Sequence, residues 1–156
     1  MAKYSKLLWP GMATIVRAEP YLLKWAGPYR YLDAAWSQYL YRKGNVNDSL
    51  AKNVDWARRL GLGLVMGLNV RDGGIGNRNM TASQVQSWGS TLLSRSYACA
   101  FISWKYIDSY VSTSSMKSAM SYLRSKAQSR LPRAAKAEFA GMTNHTGVAE
   151  GPRPPL

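Results

Sequence analysis

Eight carboxylates occur among 156 residues, few enough to be placed one by one. Asp48 and Asp55 fall in a helical segment, as a capping residue and an exposed position, and Glu138 and Glu150 fall in the tail. The other four, Glu19, Asp33, Asp72 and Asp108, each belong to a different apolar run followed by a helical segment. Three lie near the C-terminal ends of those runs or just past them, whereas Asp33 falls within its run. Two carboxylates at one edge can divide the work of a general acid and a nucleophile or base, as glycosidic cleavage requires. Glu19 and Asp33 are the candidate catalytic pair, with Asp72 next. The plainer reading of each is an ion pair, Glu19 or Asp33 with Arg17 and Asp72 with Arg71.

The aromatic residues bear on the same chemistry. Six Trp and ten Tyr accompany only two Phe, so most rings carry a polar handle. Trp36, Tyr39, Tyr41, Trp104, Tyr106 and Tyr110 follow the second and fourth apolar runs. Ring faces can stack on the C–H faces of sugars. Trp36, Trp104 and Tyr106 are therefore candidate sugar platforms, with Arg17, Asn69 and Asp108 as polar substrate contacts. Core packing is the competing explanation for each ring. The loop Gly73-Gly74-Ile75-Gly76 lacks the lysine of a P-loop and precedes its helix by several residues, so a mobile site loop is expected rather than a phosphate cradle. One Cys (Cys99) and one His (His145) cannot build a disulfide or a structural zinc site, and no metal or cofactor is expected. Cys99, inside an apolar run, is expected to be a small buried hydrophobe.

Four strand–helix units would have to position these groups. The first run is Ala13 to Glu19, closed by Pro20, with a short helix over Tyr21 to Ala26. The second run spans Tyr29 to Tyr39. Its helix is capped by Asn47 or Asp48, carries the stripe Leu50, Val54, Ala57 and Leu60, and ends at Gly61. The third run, Leu62 to Val70, alternates bulky Leu62, Leu64, Met66, Leu68 and Val70 with Gly63, Val65, Gly67 and Asn69. That pattern suits a barrel wall, bulky side to the helices and small side to a crowded interior. Thr81 to Gln84 spells a capping box for the third helix, whose stripe is Val85, Trp88 and Leu92. Tyr97 to Tyr106 is the fourth run; Ser112 to Ser115 offer caps for a helix striped by Met116, Ala119, Met120, Leu123 and Ala127. Such alternation predicts an α/β fold with a parallel sheet. Four units make half of an eight-stranded barrel, so residues 1–131 are expected to form a partial (β/α) barrel domain and 132–156 a disordered, basic, proline-rich tail.

Composition narrows the partners. An apolar share of 46% supports a folded core. No run of about 18 apolar residues predicts a membrane span, and no export signal is visible. The net charge of +13 is spread along the chain and thickens from Lys117 to Lys136. A basic surface is expected from this, and specific nucleic-acid binding is not, although a basic nucleic-acid-binding domain stays an alternative. A half-barrel leaves two sheet edges and one core side open, so self-association, or pairing with a missing N-terminal half, is expected.

The stretches Trp9 to Arg17, Tyr31 to Tyr39, Gly63 to Val70 and Tyr97 to Phe101 resemble the later strands of glycoside-hydrolase-like (β/α)8 barrels, most nearly bacterial secreted ones of poorly defined activity. The resemblance covers about residues 9–130. It implies a glycosidase-like hydrolase parent, carbohydrate as partner, and an N-terminal half that holds the first four strands. The chain is then expected to be a barrel fragment that acts on or binds carbohydrate, or that has no activity without the absent half; the alternative is a non-catalytic module that holds polysaccharide on the same aromatic face.

Overall fold

The computed structural model describes residues 2–9, 11–25, 31–95, 97–104 and 108–129, and the backbone alone for the fourth strand. The expected tail therefore lies outside the described residues, as do His145 and the side chain of Cys99. The elements run α1 (Ala2–Leu8), β1 (Ile15–Val16), α2 (Pro20–Leu23), β2 (Ala34–Tyr39), α3 (Val46–Arg59), β3 (Gly63–Asn69), α4 (Ala82–Leu92), β4 (Ala98–Trp104), α5 (Asp108–Val111) and α6 (Ser114–Gln128). The protein is mixed α/β with a small parallel sheet in the order β1-β2-β3-β4. Three strands have six or seven residues, and β1 adds a two-residue edge.

Each connection moves one strand over in the same direction. With right-handed crossovers this places every connecting helix on one face. The helix packing agrees: α2 lies on α3, α3 on α4, and α4 on α6. The main core fills the space between that layer and the sheet. Leu64, Met66 and Leu68 of β3, with Val70 beyond it, form one cluster with Leu50, Val54 and Ala57 of α3, Val85 and Leu92 of α4, and Met116, Ala119 and Leu123 of α6. These are the stripes read from the sequence, and burying each large member contributes about 1.5–3 kcal/mol.

In a parallel pair, residues in register share a face. Ala35, Ser37 and Tyr39 are level with Leu64, Met66 and Leu68, so they turn to the helices. Ala34, Trp36 and Gln38 are level with Gly63, Val65 and Gly67 and turn the other way. There Ala34 and Val65 form a second small cluster, with Trp36 against it.

The local signals explain most element ends. The Thr81–Gln84 capping box is present in both directions, at 3.0 and 3.2 Å. Gly61 takes φ +65 just past Leu60, the C-cap of α3, a conformation that glycine adopts without steric cost. The cap of α3 is two residues earlier than expected. Asn45 Oδ1 accepts from the Asn47 N–H at 2.8 Å, which places Asn47 and Asp48 inside the helix. The expected first run shrinks to Ile15–Val16, because Pro20 opens α2 and Glu19 already stands at its cap.

Two tyrosines tie loops to the core. Tyr39 donates to Gly44 O at 2.7 Å, and Tyr110 donates to Met80 O. Burial raises the Tyr110 pKa to about 12 and pushes Tyr39 in the same direction, with Tyr41 adding to the latter. Both phenols are neutral in the fold, while an unfolded tyrosine ionises at about pH 10. Their contribution to stability is complete below pH 10 and is lost as pH rises through the folded values. Urea midpoints should stay level up to about pH 10 and fall beyond it. Tyr110→Phe should flatten that alkaline fall.

Candidate functional site

Asp33 immediately precedes β2 and marks the N-terminal end of the sheet. Its Oδ2 accepts from the Thr14 N–H at 2.5 Å and lies 2.5 Å from Lys6 Nζ. Its backbone joins three strands' starts: the Asp33 N–H donates to Thr14 O, and the Gly63 N–H donates to Asp33 O. Asp33 is thus a seam between the α1 segment, β1, β2 and β3. The expectation that it falls within its strand is corrected by one position.

Glu19 is at the other end. It occupies the N-cap position of α2 on an extended backbone without a side-chain cap bond, and Pro20 behind it supplies the fixed φ of the first helical turn. Its carboxylate pairs with Lys43, whose ammonium also donates to Gln38 O near the end of β2. From Asp33 to Gln38 the strand climbs five residues, or roughly 17 Å. A retaining pair needs about 5.5 Å and an inverting pair about 6.5–9.5 Å. Glu19 and Asp33 are therefore not brought together, because β2 carries them to opposite ends of the sheet.

The remaining candidates leave the sheet at its C-terminal edge. Asn69 ends β3 half-buried on the face turned from the helices. Asp72 follows at φ +58, largely exposed, with its carboxylate 3.7 Å from Arg71 Nε. The Arg17 guanidinium stands 5.6 Å from the Trp36 ring centroid, on the same face as Asn69. Asp108 is exposed at the start of α5. Trp104 ends β4 level with Asn69, but its side chain, like all of Tyr106, lies outside the described residues.

Two residues that the sequence did not single out belong to this edge. Gln38 is only 6% exposed, and its Nε2 has no hydrogen-bond partner. A buried amide without a partner costs about 1–3 kcal/mol. The available signal was a polar residue two positions from Trp36 in an otherwise buried strand. Lys43 was hidden because its partner Glu19 is 24 residues away in sequence.

The other aromatic candidates serve packing. Tyr39 meets Trp88 edge-on at 5.4 Å, and Tyr41 stacks on Trp88 at 6.0 Å. Tyr110 packs against the main core. Among the described candidates, Trp36 is the ring left on the far face.

The glycine loop closes on itself. The Gly74 N–H donates to Arg78 O and the Tyr41 N–H to Gly73 O, both at 2.8 Å. A Cβ at Gly73 would meet Asn69 O at 1.8 Å, so close backbone approach demands glycine there. These contacts fold the loop onto the strand end and onto Tyr41.

Among the described residues no three of His, Cys, Asp and Glu gather as a metal site, and no helix is long and apolar enough to cross a membrane. The arrangement defines a mixed α/β protein with polar and aromatic groups gathered at the C-terminal edge of a small parallel sheet. No family model, curated protein or solved structure matches the chain.

Asp33→Ala removes a charge-assisted hydrogen bond and an ion pair that are largely screened from water. It should lower unfolding stability by about 1–3 kcal/mol in urea titration. Asp72→Ala, at an exposed pair, should change it by less than about 1 kcal/mol.

Proposed function

We propose that the chain is a glycoside-hydrolase-like (β/α) half-barrel unit that holds carbohydrate at the C-terminal edge of its sheet and does not cleave it with Glu19 and Asp33. The observation that carries the reading is Gln38. A buried amide with an unused donor lies beside an aromatic ring, Trp36, and both point away from the helix layer. An amide donor next to a ring matches a sugar, which offers hydroxyls at its rim and C–H groups on its faces. Arg17 and Asn69 would add donors along the same edge, and Glu19, held by Lys43, an acceptor. The half-barrel reading draws support from the consecutive strand order and the single helix layer, the winding used in (β/α)8 barrels, whose sites form at this edge.

A hydrolytic reading survives in another form. Glu19 and Asp72 both follow strand C-termini, one after β1 and one after β3. Two strand spacings amount to about 10 Å, near the separation of inverting carboxylates.

Calorimetric titration with a panel of soluble oligosaccharides tests the proposal. At least one glycan should bind, and Gln38→Leu should weaken it about tenfold, the equivalent of one hydrogen bond. That substitution removes an unpartnered buried amide, so it should not unfold the protein. Reducing-end release should stay at background and be unaffected by Glu19→Gln. Failure of every glycan to bind, or unchanged affinity in Gln38→Leu, would sink the carbohydrate reading. Release that disappears in both Glu19→Gln and Asp72→Asn would favour the hydrolytic one.

A further inference from the structure

Helix α1 has seven residues and buries none of its side chains. A helix this short is marginal on its own hydrogen bonds and normally depends on a packed apolar face. α1 has such a face. Tyr4, Leu7 and Leu8 fall at i, i+3 and i+4, within an arc of about 100°. All three are about two-thirds exposed, at 68%, 67% and 66%. Trp9 and Met12 extend the same apolar stretch at 57% and 63% exposed. The ties to the body come through Lys6, which reaches Asp33 and, at 3.1 Å, Met12 O. The helix is thus tethered by a charged side chain while its apolar stripe faces water.

Charge indicates what covers the stripe. Lys3 and Lys6 border it on one flank, and the chain as a whole carries +13. A second copy would bring two strongly basic bodies together, whereas a negatively charged surface would draw them in. Apolar side chains flanked by lysines, with Trp and Tyr rings among them, are the composition of helices that lie in a lipid–water interface. Both rings keep a polar atom that can remain at the headgroup level. We propose that α1, together with Trp9 and Met12, docks on an anionic lipid surface, lying in the interface with Tyr4, Leu7 and Leu8 inserted and Lys3 at the headgroups, while Lys6 keeps the helix tied to Asp33. The attachment is peripheral and separate from the sheet edge, so it does not rest on the carbohydrate reading.

Co-sedimentation of the full chain with phosphatidylcholine vesicles, with and without phosphatidylglycerol, tests it. Binding should require phosphatidylglycerol, weaken as salt rises, and shift tryptophan emission to the blue. Leu7→Glu with Leu8→Glu should reduce partitioning roughly tenfold or more, with an unchanged urea midpoint because neither side chain is buried. Ile75→Glu with Tyr122→Glu adds the same two charges at other exposed apolar positions and should retain most of the binding. Trp9→Phe should bind but lose most of the spectral shift. No binding to phosphatidylglycerol vesicles, or equal loss in the two double variants, would overturn the proposal. So would a concentration-dependent dimer that Leu7→Glu with Leu8→Glu dissolves, because the stripe would then cover a second copy.

Discussion

The helix-facing stripe of β3 is the element on which the others depend. Leu64, Met66 and Leu68 are wholly buried, under α3 and α4, and α6 joins the same cluster by packing on α4. No single helix covers that stripe, so α3 and α4 lie side by side on one face with α6 next to α4. The glycines and the polar residue between them, Gly63, Gly67 and Asn69, then necessarily turn to the opposite face. β2 follows in register, and its own alternation assigns Tyr39 to the core and Trp36 and Gln38 to the far side. A one-residue slip of β2 would exchange those roles. The positions of the site residues are therefore consequences of how β3 is packed.

That dependence explains what could be read from the sequence. β3, α4 and α6 carry strong periodic stripes with a capping box or glycine stop nearby, and the structure follows them within a residue or two. Local patterns failed where tertiary contacts decide the outcome. Ala13 to Glu19 has strand-like residues, but only Ile15 and Val16 find a partner in β2. α1 went unrecognised because its apolar residues face no core, and its tether to Asp33 spans 27 positions. Asn45 displaced the expected caps because all three residues have the same cap chemistry and it is Asn45 whose Oδ1 meets the Asn47 N–H. Glu19 and Asp72 do follow β1 and β3 in the chain. Placing the acids by strand unit misjudged Asp33 because the second strand begins later than its apolar composition suggests.

The two lysine–carboxylate pairs separate the roles of these acids. Asp33 with Lys6 holds the N-terminal end of the sheet, and in (β/α) architectures that end belongs to stability. Glu19 with Lys43 closes the C-terminal end. Both carboxylates are mostly shielded, with side chains 11% and 13% exposed. Each carboxylate already holds an ammonium, Lys6 on Asp33 and Lys43 on Glu19, so the two acids are engaged at opposite ends of the sheet. Among the described residues Asp72 and Asp108 also follow strand ends at the C-terminal edge, and both are exposed. The buried amide of Gln38 and the Trp36 ring share the far face of β2 beside that edge, so the proposal of recognition rests on those two side chains and not on a pair of carboxylates.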